Sequence, residues 1–198
     1  MPNQLRKPQP AAVSSYCDAA AHPVHGPYHD REYGFRVTED AALFERLMLE
    51  INQAGLSWLT ILKKRDAFRR AFLGFEIDAV ARFGARDRVR LMRDPGIIRN
   101  RLKVNAAVEN ARRLVAIRDA HGSFAGWLDA QHPLSLDEWR KVFRQTFVFT
   151  GGEIVREFLV STGYLPGAHR KSCPAFEPAI RSGALWAARS PLRPKVSG

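Results

Sequence analysis

The sequence predicts an all-α domain, and three observations carry that expectation. Apolar residues recur at helical spacing through most of the 198-residue chain. Residues that start and stop helices stand at the borders of those stretches. Alternating strand-like runs of useful length are absent, as are Asn-Gly and Asp-Gly hairpin signals and internal repeats.

The helices follow in order. Thr38, then the acids Glu39 and Asp40, precede Leu43, Phe44, Leu47, Met48 and Ile51, a helix expected to end near Gly55. Ser57 is placed to cap a second helix through "WLTILKKRDAFRRAF", which Gly74 should close. Short helices fit "IDAVARF" and "RDRVRLMRD". "DPGII" reads as a turn, because Pro95 disfavours helical geometry at Asp94 and Gly96 can adopt positive φ. From about Asn100 a long helix carries Val104, Ala107, Val108, Ala111, Leu114 and Val115 on one stripe. Further helices fit "FAGWLDA", "LDEWRKVFRQT" and "GGEIVREFLVSTG".

At the ends, residues 1–13 carry three prolines and no periodicity, which predicts a flexible arm. Residues 14–176 form the expected domain. Residues 177–198 read as a mobile tail, in which "IRSGALWAA" can dock a short helix.

With 45% hydrophobic residues the chain can build a sizeable core. No secretion-type leader and no apolar run of membrane-spanning length is visible, so a cytoplasmic protein without a membrane partner is expected. Two cysteines in a reducing compartment point to a metal or to chemistry more than to a disulfide. Lysine and arginine number 31 against 20 acids, a net charge of +11, which predicts attraction to polyanions, nucleic acid first.

Three constellations carry chemistry. In "LMRDPGIIRNRLKVNAAVENARRL" a short helix, a turn with Gly96 and a long helix opening on Arg99, Arg101 and Lys103 have the layout of a helix-hairpin-helix grip on a DNA backbone. An ordinary αα-hairpin with a solvated basic face has the same pattern. In "LMLEINQAGLSWLTILKKR" helical spacing puts Glu50 on or beside the apolar face. It is either a core carboxylate paired with an arginine or, with Gln53 and Trp58, part of a pocket for a planar, nitrogen-rich, cationic ligand such as a flipped base. Finally, Cys17, His29, His169 and Cys173 suit a tetrahedral zinc site with four protein ligands and no position for an activating water, hence a structural one. His169 and Cys173 stand at helix-compatible spacing. A Cys17–Cys173 disulfide or two idle thiols are the alternatives.

Taken together, "YHDREYG", "EINQAGLSWLTILKKRDAFRRAF", "DPGIIRNRLKVNAAVENAR" and "FVFTGGEIV" resemble, in order, the DNA-3-methyladenine glycosylase I family, from about Tyr16 to Cys173. The resemblance implies a helix-hairpin-helix fold that flips an alkylated base from double-stranded DNA and hydrolyses its N-glycosidic bond. It also implies one structural zinc ion joining the termini through Cys17, His29, His169 and Cys173. Carried over by position, Glu50 is the acidic residue that meets the damaged base, Trp58 an aromatic wall, and Tyr28 the aromatic before the zinc histidine; Tyr28, Trp58, Gln53 and His25 are the expected base-pocket residues. Ala19 stands where the family has a tryptophan, His25 where it has the tyrosine of an Asp-Pro-x-Tyr run, and Glu153 where it has a threonine or another small residue. The segment from Gly126 to Gln145 is shorter than usual. The expected protein is therefore a monomeric, zinc-stabilised glycosylase for 3-methyladenine or a related base. The alternatives are a DNA-binding protein of the same fold with lost or altered catalysis and an interaction domain for anionic lipid or a protein.

Overall fold

The structure, a computed structural model, describes residues 15–188. Among them every regular element is helical: α1 (His25–Arg31), α2 (Asp40–Gln53), α3 (Trp58–Ala71), α4 (Ile77–Ala81), α5 (Ala85–Arg93), α6 (Arg101–His121), α7 (Phe124–Gln131), α8 (Leu136–Thr146), α9 (Gly152–Ser161) and α10 (Phe176–Arg181), with short 3-10 turns between. The expected arm, residues 1–13, lies outside the described residues.

Side-chain caps mark the helix starts. Ser57 accepts from the Thr60 N–H at 3.2 Å, Ser123 from that of Gly126 at 2.8 Å, and Asn100 from those of Leu102 and Lys103 at 3.0 and 3.2 Å. Gly74, at φ 69°, turns the chain out of α3 as anticipated. Around α2 the core closes on every side: Leu43, Phe44, Leu47, Met48, Leu49 and Ile51 are buried, packed by α3, α6, α7 and α9. So complete an enclosure also buries Glu45, Arg46, Glu50 and Asn52, and each polar group there needs an account. No helix among the described residues is long and apolar enough to cross a membrane.

Two elements differ from the expectation. The stretch before α2 contains the unforeseen α1, which holds Pro27 in its first turn, where a missing N–H costs nothing. At the other end, residues 177–188 of the expected tail pack onto the domain, and residues 189–198 lie outside the described residues. The Phe176 and Trp186 rings lie 5.5 Å apart, the Leu185 N–H donates to the Gly163 carbonyl at 2.7 Å, and the Arg36 N–H donates to Ser182 at 2.9 Å. Helical period is weak in six residues broken by Pro178, so the sequence allows a docked helix in this stretch and the contacts decide it.

Candidate functional site

The two cysteines and two of the histidines converge. The ligand-capable atoms of Cys17, His29, His169 and Cys173 all lie within 4.8 Å of one another. The Cys17 and Cys173 sulfurs each stand 3.8 Å from His169 Nδ1, and Cys173 Sγ lies 3.6 Å from His29 Nε2. Sulfur and nitrogen ligands of a tetrahedral zinc ion stand about 3.5 Å apart, given bonds of about 2.3 and 2.0 Å. Each imidazole is oriented from behind: the carboxylate of Asp30 accepts from His29 Nδ1 at 2.7 Å, and the carbonyl of Tyr33 accepts from His169 Nε2 at 2.6 Å. The remaining ring nitrogens therefore offer lone pairs to the centre.

Burial works against ionising Cys17, but hydrogen bonds with Ser15, His29, the Arg170 N–H and His169 outweigh it and draw the thiol down to about 5. Burial pushes the Cys173 thiol up. The donor set fits a metal ion. His169 and Cys173 achieve their spacing in a turn-rich loop, not the helix their spacing allows. That loop crosses Gly34 (φ 82°), where an added Cβ would stand 2.3 Å from the Ala168 Cβ, so only glycine permits the approach.

Beside this cluster opens a cleft of about 820 Å³. Glu50, on α2, contributes a carboxylate that is only 5% exposed, and among the described residues it has no hydrogen bond and no ion pair. Burial first, then the carboxylates of Glu157 and Glu153, push it up to about 8 against the opposing pull of Arg46. Trp58, the first residue of α3, lies just beyond Gly55, whose φ of 83° ends α2 sharply and places the indole on the cleft. Gln53 also lines the cleft and donates to the Leu56 carbonyl at 3.0 Å.

Tyr16, Tyr33 and His25 line the cleft beside Ala19. The Tyr16 hydroxyl meets His25 Nδ1 at 2.8 Å, and its ring stands 4.6 Å from that of Tyr33. Neither tyrosine was singled out in the sequence; an aromatic residue next to a metal-ligand cysteine was the available sign for Tyr16. To the same cleft α9 presents Glu153, Arg156 and Glu157. Glu153 thus borders the cleft, with its side chain 74% exposed and paired with Arg156 at 3.3 Å.

Tyr28 is corrected: it is buried and does not line the cleft. Its hydroxyl accepts from Arg46 at 2.7 Å, and its ring lies 5.4 Å from Trp58 and 4.7 Å from the Arg46 guanidinium. It supports the wall. Behind it, Glu32 accepts two 2.7 Å hydrogen bonds from Arg65 and one of 3.1 Å from Arg46. Burial opposes ionisation of Glu32, yet those guanidinium groups hold it below the ordinary carboxylate range. The buried arginine Arg46 is thereby committed to Tyr28 and Glu32, with no direct bond to Glu50.

The hairpin between α5 and α6 needs two corrections. Lys103 is 6% exposed and donates to the carbonyls of Asn52 and Ala54 at 2.9 and 2.8 Å, so its charge caps α2 from inside and is not offered to a phosphate. Gly96 is not at positive φ, and its N–H is taken by the Asp94 carboxylate at 2.7 Å. Glycine is needed because an added Cβ would stand 2.8 Å from the Ala67 Cβ. Arg99 and Arg101 are exposed and have no ion pair among the described residues. Lys103→Ala should therefore destabilise the fold by about 2 kcal/mol, since two helix-end carbonyls lose their donor. Chemical denaturation measures this, and an unchanged midpoint would remove the capping role.

The fold is shared with glycosylases. The family model described as methyladenine glycosylase matches residues 18–146. A DNA-3-methyladenine glycosylase of Haemophilus influenzae is 35% identical over 170 residues, 76% of this chain and 91% of that one. DNA-3-methyladenine glycosylase 1 of Escherichia coli is 47% identical over 90 residues, 46% of this chain and 48% of that one. Among solved structures, a 3-methyladenine DNA glycosylase I in complex with 3-methyladenine superposes with a TM-score of 0.73 at 34% identity, covering 81% of this chain and 96% of its own. The 3-methyladenine DNA glycosylase I of Staphylococcus aureus does so with a TM-score of 0.71 at 36% identity, over 78% and 92%. By the match of the family model and the near-full-length relatives, this chain belongs to the methyladenine glycosylase family.

Proposed function

We propose that this protein is a base-excision DNA glycosylase that flips an alkylated base, 3-methyladenine foremost, out of the duplex and hydrolyses its N-glycosidic bond. The observation that carries this reading is the buried, unpartnered carboxylate of Glu50 facing a cleft walled by Trp58 and Tyr16. A buried carboxylate without a partner is costly, and a cationic base with an N–H edge supplies both the charge and the donor it lacks. The aromatic walls take the faces of the base.

Little acid catalysis is required, because a base methylated at N3 already bears positive charge. The C1′–N bond breaks with its electron pair passing to the base, which leaves neutral. Water adds to C1′ of the cationic sugar and loses a proton. In this scheme Glu50 recognises the base and, with the acids on α9, stabilises positive charge as it moves to the sugar. Exposed Arg99 and Arg101 hold DNA phosphates beside the hairpin, and Gly96 shapes the turn between α5 and α6. Each arginine replaced by alanine should lower the salt slope of duplex binding by about one. The protein acts as a monomer in the cytoplasm, and Cys17, His29, His169 and Cys173 hold one structural zinc ion.

The direct test is release of free bases from methylated duplex DNA, separated by chromatography across pH. With Glu50 pushed up to about 8, the ionised form that meets a cationic base is scarce in acid. At sub-saturating DNA, release of 3-methyladenine should rise roughly tenfold per unit from pH 6 and level off above pH 8. A flat profile over that range would remove Glu50 from base recognition. Duplex binding with no base released would leave a DNA-binding protein as the better description.

A further inference from the structure

We infer that the Arg156–Glu157 pair on α9, which lines the same cleft as Glu50, is a second recognition edge that admits guanine alkylated at N7. This rests on the proposed glycosylase reading and extends its substrate class. Besides Asp18, which is paired with Arg170 at 2.6 Å, three carboxylates, those of Glu50, Glu153 and Glu157, line one cleft, with the guanidinium of Arg156 among the α9 acids. A cluster of acids alone indicates nothing, since exposed acids are commonly solvated. Here one of the three is 95% buried and has no hydrogen-bonding or ionic partner among the described residues, which marks the cleft as built for a cation with N–H donors.

The number and order of the remaining groups narrow the cation. Adenine alkylated at N3 presents one N–H donor group, its 6-amino group, and a single carboxylate satisfies it. Guanine alkylated at N7 carries the same charge but presents three groups in a row: the O6 acceptor, the N1–H donor and the 2-amino donor. Its complement is a donor beside a carboxylate, and α9 supplies that order. Arg156 is paired with Glu157, whose other oxygen accepts from the Tyr33 hydroxyl at 3.1 Å. That hydroxyl holds the carboxylate in place, while the Arg156 side chain stays 42% exposed with donors to spare. Carboxylate to N1–H and the 2-amino group, with guanidinium to O6, is a charge-assisted, fork-like match. Glu50, which lines the same cleft, answers the charge of the same cation. The chemistry is unchanged: the C1′–N9 electron pair neutralises the departing base, and water adds to C1′ with loss of a proton.

The experiment uses duplex DNA treated with dimethyl sulfate, which carries both lesions, with enzyme-free controls for spontaneous loss of 7-methylguanine. Both free bases are quantified for the full chain, for Arg156→Ala and, as a second variant at an exposed side chain, for Glu153→Gln. The wild type should release 7-methylguanine above the control as well as 3-methyladenine. In Arg156→Ala the ratio of 7-methylguanine to 3-methyladenine released should fall about tenfold or more. In Glu153→Gln, which loses only the outer acid, it should fall less. Release of 3-methyladenine without 7-methylguanine overturns this inference and leaves the proposed function standing. Release of neither base overturns both. Release of both with an unchanged ratio in Arg156→Ala overturns the assignment to the α9 pair.

Discussion

Glu50→Gln is expected to lower release of 3-methyladenine by two to three orders of magnitude while raising the stability of the protein, a loss and a gain from one substitution. The loss follows because the amide keeps the shape and gives up the charge that answers a cationic base and the developing sugar cation. Removing one preorganised electrostatic partner costs about 10²–10³ in rate. The gain follows from burial without a partner. Glu50 is pushed up to about 8 in the folded protein, so between the unfolded carboxylate range and pH 8 the folded state holds a proton that the unfolded state has released. Its stability contribution is most favourable in acid and is lost as pH rises toward 8. Glutamine removes that penalty, so the variant should exceed the wild type by about 4 kcal/mol near pH 8, with the difference vanishing near pH 4.5. Paired melts at the two pH values, beside chromatography of released base, check both halves. A Glu50→Gln protein less stable at pH 8 would mean that the carboxylate has a partner in the fold.

Loss of the metal centre should have the second-largest effect. Cys173→Ser, or exhaustive chelation of the wild type, is expected to remove one zinc ion per chain and to lower stability by about 4 kcal/mol or more, because metal-binding energy is folding energy where the ligands are far apart in the unfolded chain. Cys17 and His169 are separated by 152 positions, so binding closes nearly the whole domain. The helical core around α2 does not use these ligands, and much of the far-ultraviolet signal should persist below the new transition. Base release should also fall, since Tyr16 adjoins Cys17 and Tyr33 is bonded through its carbonyl to His169, so both of these cleft-lining tyrosines lose their anchor. Elemental analysis with melting before and after chelation settles it: bound zinc with an unchanged melt would make the ion incidental to stability.

What the sequence determined by itself is local or is a matter of donor chemistry. Ser57 caps the helix it was expected to cap, the long helix begins after Asn100 as expected, Gly74 ends α3, and the stripe from Val104 to Leu114 lies in the core. Such signals act between residues a few positions apart, so order along the chain carries them. The identities of Cys17, His29, His169 and Cys173 likewise specify a zinc-like donor set before their meeting is known. Only the tertiary structure decided which long side chains face the cleft and which are consumed by the fold. Lys103 looks like Arg101 in sequence, but it turns inward to carbonyls about 50 residues away, so its charge caps a helix end. Tyr28, though next to His29 of the Cys/His cluster, is held behind Trp58 by Arg46, whereas Tyr16 reaches the cleft. Glu50 stood between core and pocket for the same reason. Helical spacing sets the side of the helix a carboxylate leaves from, but its partner is a property of the other helices packed there, and for Glu50 those helices supply none among the described residues.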